Sequence, residues 1–583
     1  MESIKWIGGY LKKYKVKYIF ALMLVLSSSL INMVNPFIYG QILDKVFIGK
    51  ELNLLFPLVS IVVCVVLVKA VITYSFQMIL ERISQKVLYE IREDLYKKLL
   101  SLDSGFYNKT KTGDIMARMT GDTDAIRHFV AWVVYNIISC ITLVVFALIS
   151  MSSVNIKLTL FIVTIPPIIA YLAIKLGKEI GPTFQENRES YSRLNSVVQE
   201  NISGNRVVRA FGREDFEIEK FSKASLNYKA KTFKITEVAA KYLPNLEFAA
   251  KLLDIMTILV GGILVINKSM TFGDLFVFNG LLWALNGPMR LSGYLINDTQ
   301  RFIASSEKII ELLNTESAIK NPKENDQEKK IEKIKGNIRF ENVSLDLDGR
   351  RVVNNVSFEV KNGQTIGLVG HTGSGKSLII NLLRRFYDPT EGNIYIDEIN
   401  IKDINLEFLR ENVATAMQDI FLFSDTVKDN ISFGKPNAEL LEVEKSAKMA
   451  QAHEFISMLD DGYETIIGER GVGLSGGQKQ RLSLARAMLK DVPIFVLDDV
   501  TSAVDMETEK KIQEELQNIK ATKTTFIIAH RLSSLKHADL ILVLNEGEIV
   551  EKGSHEELLK EDGYYAKVFK TQYGNLSNEK EVV

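Results

Sequence analysis

GLVGHTGSGKSLII, residues 367–380, decides how the second half of this 583-residue chain folds. The G-x4-G-K-[ST] pattern at 370–377 follows a short apolar, β-rich run, QTIGLVG (364–370). It leads into SLIINLLRRF (377–386), whose apolar spacing is helical. Strand, glycine loop and helix in that order make a phosphate cradle. The glycines leave backbone N–H groups bare, and the helix N-terminus turns its partial positive charge toward the anion. Gly370, His371, Thr372, Gly373, Ser374 and Gly375 are therefore the expected nucleotide contacts, His371 as a spacer that offers only its backbone. Lys376 is placed to reach the β- and γ-phosphates and the Ser377 hydroxyl to ligate Mg²⁺.

About a hundred residues downstream stands LSGGQ, 474–478, followed by a helical run, KQRLSLARAML. Ser475 has a hydroxyl to donate, and Gly476 and Gly477 leave the backbone accessible ahead of Gln478. A helix-entry loop of this kind can cap a γ-phosphate held by another subunit. Next comes IFVLD, 494–498, a continuous apolar run of buried parallel-strand type that ends in the carboxylate Asp498.

In this order the motifs resemble the nucleotide-binding domain of an ABC transporter, over 338–583. The resemblance makes Gln418, in AMQDIFLFSDTV, the glutamine that touches Mg²⁺ and the transmembrane domain. GERG, 468–471, resembles the exporter loop ahead of the signature, and SAVD, 502–505, the D-loop. His530, after the strand-like TTFIIA, falls at the switch histidine. Asp498 joins Ser377 and Gln418 as an implied Mg²⁺ ligand, and Asp499, Gln418 and His530 are the implied catalytic residues.

Two positions depart from the family pattern. Asp499 stands where glutamate normally orients the attacking water, which draws the carboxylate back by about 1.5 Å. A general base works at roughly 2.6–3.2 Å from its proton, so that retreat slows hydrolysis. Leu347, in FENVSLDLDGRRVV, occupies the position of the adenine-stacking aromatic. Both departures resemble the weakened-site half of bacterial heterodimeric multidrug exporters. Retained Gln418 and His530 leave a slow homodimer open.

Ahead of the nucleotide motifs the chain changes character. Apolar stretches occur at 17–39, 54–79, 129–154, 158–176, 246–266 and 272–296, each near the roughly 20 residues that cross a bilayer core. Six spans put both termini on one side, the cytoplasmic side where ATP is. The turns near Lys50, Asn155 and Lys268 carry few basic residues, whereas 82–127 and 175–241 carry many, as the positive-inside rule asks. RISQKVLYEIREDLYKKLL (82–100) is amphipathic, so the connections read as helical extensions with glycine-bearing turns near 104–113 and 204–212. These turns are expected to dock as coupling helices; FYNKTKTGDIMARMTGDTDAIR (106–127) resembles the family's first intracellular loop.

The expected fold is thus an all-α six-helix transmembrane domain with long cytoplasmic extensions (1–315), a linker (316–337) rich in Lys, Glu and Asn, and an α/β P-loop ABC nucleotide-binding domain (338–583). Glu247, Lys251 and Asp254 share one helix face, and either pair with one another or face substrate. Asn286, Gly287 and Pro288 are expected to kink the sixth span, with Arg290 facing a cavity or snorkelling. Trp132, Tyr135, Phe248 and Trp283 read as packing or interfacial belt in preference to a drug pocket.

Lys plus Arg equals Asp plus Glu, at 71 each, so no net field draws nucleic acid. The two cysteines, Cys64 and Cys140, both lie in spans, which argues against a disulfide framework or zinc site. The resemblance implies a half-size exporter of the cell membrane that uses ATP and Mg²⁺, pairs with a second half-transporter and moves amphipathic drug-like or lipid-like molecules. A homodimeric lipid or peptide exporter, or an ATP-gated regulatory membrane protein, are the other readings.

Overall fold

The computed structural model describes residues 2–322, 333–468, 471–500, 502–520, 523–529 and 531–573. His530, Glu469 and Arg470 of the GERG loop, residues 323–332 of the expected linker and the last ten residues lie outside the described residues, as does the Arg290 side chain. The chain divides into two compact units. One joins Met1–Leu100 with Lys111–Thr315; the other joins Ser101–Thr110 with Glu316–Val583.

The first unit is helical. Among the described residues, five helices are long and apolar enough to cross a membrane. The second of them, Leu55–Ser101, runs 47 residues, or about 70 Å, more than twice the bilayer core. Its apolar face is bare in this chain, with Val59, Ile61, Val63 and Leu67 all exposed. Continuous apolar exposure on that scale belongs against lipid or another helix, not water. The sixth stretch is helical too, as Phe272–Leu281 followed by Trp283–Asn314. The hydrogen-bond ladder is interrupted at Leu282, whose backbone stays helical (φ −61°, ψ −34°), and Pro288 lies inside the second segment. A break, unmarked in the sequence reading, falls at 163–165, just before the helix that begins at Pro166.

The long connections are helices, as the amphipathic pattern predicts. Pro166–Ala210 and Glu214–Ile266 run 45 and 53 residues and are joined by a turn at Phe211–Arg213. Gly204 is inside the first of these, so the turn is shorter than the expected 204–212; Gly212 takes it with φ +57°. Polar rungs hold the two helices side by side: Glu186 meets Lys231 and Lys234 at 2.9 and 3.2 Å, and Asn187 donates to Thr232 at 2.8 Å. Lys251 pairs with Asp254 at 3.4 Å, which is the self-pairing alternative for those two residues.

In the second unit, a four-stranded antiparallel sheet runs β2 (Arg350–Val360), β1 (Ile338–Leu347), β4 (Glu391–Ile396), β5 (Ile399–Asn400). A six-stranded sheet follows the order β10 (Glu548–Gly553), β9 (Leu540–Asn545), β3 (Thr365–Gly370), β8 (Thr524–Ile528), β7 (Ile494–Asp498), β6 (Val413–Ala416). From β9 to β6 the pairing is parallel. The central strands read as unbroken apolar runs because both faces are covered by core clusters. Ser101–Thr110 belongs to this unit through the short helix Ser104–Lys109. Asn108 donates to the Tyr387 hydroxyl at 2.9 Å, and Lys109 meets Asp348 at 3.2 Å.

Candidate functional site

β3 ends at Gly370 between two parallel neighbours, and the chain leaves the C-terminal edge of the sheet into the glycine loop and the helix Lys376–Leu383. That edge is where open α/β sheets bind ligands. Gly370 is obligatory: a Cβ there would lie 2.2 Å from the Leu544 carbonyl oxygen, at φ +151°. The loop closes on itself through the Ser374 N–H to the His371 carbonyl (3.1 Å). Lys376 is buried, and its ammonium donates to the Gly370 and His371 carbonyls, both at 2.8 Å. Burial lowers its pKa and the charge of Asp498 pulls it back up, which places the two groups in one electrostatic neighbourhood. Thr372, Gly373 and Ser377 are exposed at the mouth. The His371 carbonyl is taken up by Lys376, and its ring packs edge-on against Tyr564, 5.0 Å between centroids.

Register lines up the strand ends that carry the remaining candidates among the described residues, Gln418, Asp498 and Asp499. Ala416 lies opposite Leu497 in the parallel β6–β7 pair, so Gln418, two residues beyond β6, emerges beside Asp498 and Asp499. Asp498 in turn lies opposite Ile528, two residues before His530. Asp499 sits in the left-handed region, φ +48°, with its N–H donating to the Ile528 carbonyl at 3.0 Å. Leu347 packs half-buried against the core beside the β1–β2 hairpin, opposite Arg350.

The signature residues begin the helix Gly476–Leu489. Ser475 caps it in a reciprocal box with Gln478: the Gln478 N–H donates to the Ser475 hydroxyl oxygen and the Ser475 N–H to the Gln478 side chain. Ser475 and Gly476 are exposed. The sequence reading missed Gln480, whose buried amide reaches Ser502 and Ala503, and the ion pair of Arg531 with the buried Glu509 at 2.5 Å. A polar residue on the sheet-facing side of the signature helix was the only available signal for the first. Nothing marked the second.

The expected solvated linker is pinned where it is described. Asp103 caps Ser104–Lys109 and accepts from the Ala318 N–H (2.6 Å) and the Ser317 hydroxyl (3.2 Å). Burial raises the Asp103 pKa, but the Ala318 and Phe106 amides outweigh it and hold the carboxyl below its usual range. Arg385 bonds the Lys320 carbonyl at 3.0 Å.

In the helical unit, a cavity of about 460 Å³ is lined by Asn136, Ser139, Cys140, Trp283, Pro288 and Tyr294 among others. Trp283 thus faces a cavity where packing or belt was expected. Cys64 and Cys140 are both free thiols.

Residues 18–289 match the family described as ABC transporter transmembrane region, and 353–502 that described as ABC transporter. The chain is 39% identical to YknU of Bacillus subtilis, an ABC transporter ATP-binding protein, over 98% of each chain. The chain belongs to the ABC transporters. An ATP-dependent lipid A-core flippase of Desulfotalea psychrophila is 33% identical over 98% of this chain and 99% of its own. A bacterial Atm1-family ABC exporter, solved with ATP bound, superposes with a TM-score of 0.79 at 26% identity, over 96% of this chain and 99% of that one. This ABC transporter therefore combines a multi-pass membrane domain with a P-loop nucleotide domain, and couples ATP hydrolysis to transport.

Proposed function

We propose that the chain is one half of a dimeric exporter of the cell membrane, with both termini cytoplasmic, that moves amphipathic lipid-like or drug-like molecules. Each ATP is held between the P-loop of one half and the signature loop of the other. The observation that carries this reading is the placement of the two loops within one unit. The P-loop follows β3, whereas the signature residues sit on the turn after β7, two strands along the sheet, where Gly477 and Gln480 meet Ala503. At about 4.8 Å per strand that is roughly 10 Å, so the exposed Ser475 serves a nucleotide held elsewhere. The domain bounds 1–315, 316–337 and 338–583 belong to the same proposal.

The donor set fits Mg²⁺. Ser377, Asp498 and Gln418 offer hard oxygens, and no group of three His, Cys, Asp or Glu gathers among the described residues. Mg²⁺ takes most of its shell from water and phosphate, so one carboxylate and one hydroxyl suffice. When bound it would neutralise phosphate charge. Lys376 holds the phosphates, Gln418 reaches toward Mg²⁺, Asp499 orients water, and His530 is the switch residue.

The cargo reading draws on the cavity, whose lining is uncharged and mixes aromatic faces with the amide of Asn136 and the hydroxyl of Ser139. The named lipid A-core flippases among the relatives point the same way. Asp499 and Leu347 favour a heterodimer in which this chain holds the slower site.

The test is uptake of a fluorescent phospholipid or amphipathic dye into sealed inside-out vesicles. ATP-driven uptake is expected, with about a hundredfold loss in Ser475→Arg, which puts a bulky side chain where γ-phosphate must sit. ATP-independent equilibration would sink the exporter reading. Full activity of Ser475→Arg would sink the shared site.

A further inference from the structure

Gln480 joins two places that serve different nucleotides. Resting on the shared-site reading above, we infer that Gln480 is a positioning residue through which the signature loop, seated on the partner's ATP, sets the carboxylate turn of the chain's own P-loop site.

The side chain lies two residues past the signature and is only 8% exposed. Its amide is spent entirely on the turn after β7. Oε1 accepts from the Ala503 N–H at 2.9 Å; Nε2 donates to the Ser502 hydroxyl at 2.9 Å and to the Asp499 carbonyl at 3.3 Å. The Ser502 hydroxyl donates to that same carbonyl at 3.2 Å, which closes a small ring of bonds. Asp499 needs this support. A non-glycine residue at φ +48° persists where its surroundings over-determine it. The Ile528 carbonyl fixes its N–H, and Gln480 with Ser502 fixes its carbonyl.

A second contact makes the link stiff. Gly477, inside the signature, lies so close to Ala503 that a Cβ would stand 2.8 Å from its carbonyl oxygen. Backbone therefore meets backbone there, with no flexible side chain to absorb a shift. The helix Met506–Lys520 begins just beyond, and its Glu509 holds Arg531, next to the switch position. A displacement of the signature helix is thus handed to Asp499 on one side and to Glu509 and Arg531 on the other. The donor and acceptor of the Gln480 amide are both used, on Ser502 and on the Ala503 N–H. Leucine of similar size would leave buried groups unpaired.

The experiment uses the full-length transporter in lipid, with its partner half if it requires one, and compares wild type, Gln480→Leu, Gln480→Glu and Ser502→Ala. Binding of a fluorescent ATP analogue, hydrolysis against ATP concentration and thermal stability are all read. Gln480→Leu is expected to leave binding within about twofold, cut kcat about tenfold and bring the Hill coefficient close to one. Gln480→Glu keeps the acceptor for Ala503 and is expected to fall between; Ser502→Ala, a milder change if the leucine variant misfolds, costs about threefold in kcat. Unchanged kcat and Hill coefficient in both Gln480→Leu and Ser502→Ala would overturn the proposal. So would a loss of binding that tracks a loss of thermal stability, the mark of a plain packing role. Failure of the shared site is distinguishable, because it shows as a fully active Ser475→Arg.

Discussion

The P-loop and the turn after β7 belong to the same nucleotide site but are built by different means. The P-loop is backbone: its shape comes from glycine conformations, a helix N-terminus and two carbonyls that hold Lys376. The Asp499 turn is held by a side chain that arrives from elsewhere in the sequence, Gln480 of the signature helix, together with the local Ser502 hydroxyl and the Ile528 carbonyl. A backbone cradle binds whatever phosphate arrives, and its form depends little on the rest of the site. A turn held by side chains can be reset, and binding and hydrolysis are thereby separable within one chain.

Gly370→Ala should produce the largest effect, because the added methyl collides with the Leu544 carbonyl and the whole cradle must shift. A strain of about 3 kcal/mol predicts roughly a hundredfold loss of ATP affinity, measured with a fluorescent analogue. Near-normal binding would show that the loop is more pliable than its geometry states. Gln480→Leu sharpens the comparison from the other side, with binding kept and turnover lost. A smaller effect is expected for Glu509→Gln, which weakens the pair with the half-exposed Arg531. About 1 kcal/mol, or a melting shift of roughly 2–4 °C, with a few-fold drop in kcat, would place this pair in support of the turn. A turnover rate that does not move would restrict the pair to stability.

The two halves of the site also differed in how far the sequence displayed them. Gly370 through Ser377 could be assigned from residue order because each group acts through local backbone. The same is true of the helical extensions, whose apolar stripe is a local periodicity. Gln480 lies in an otherwise ordinary helical run, and its partners at 499, 502 and 503 come into reach only when β7 packs beside β6. Asp103 reads as a routine helix cap; its bonds to Ser317 and Ala318 span more than two hundred residues. Asp499 was visible as a departure from the family, and its left-handed backbone was not, since that depends on the Ile528 carbonyl across the sheet.

On the function proposed above, this chain binds ATP on a complete cradle and turns it over slowly, with the Asp499 carboxylate drawn back. The direct measurement is ATP hydrolysis by the purified full-length chain in lipid, wild type beside Asp499→Glu, with the mass of the complex determined on the same sample. Weak wild-type hydrolysis, raised about tenfold or more by Asp499→Glu or by addition of a second half-transporter, is the expected result. Brisk hydrolysis by a wild-type homodimer, unimproved by glutamate, would contradict it.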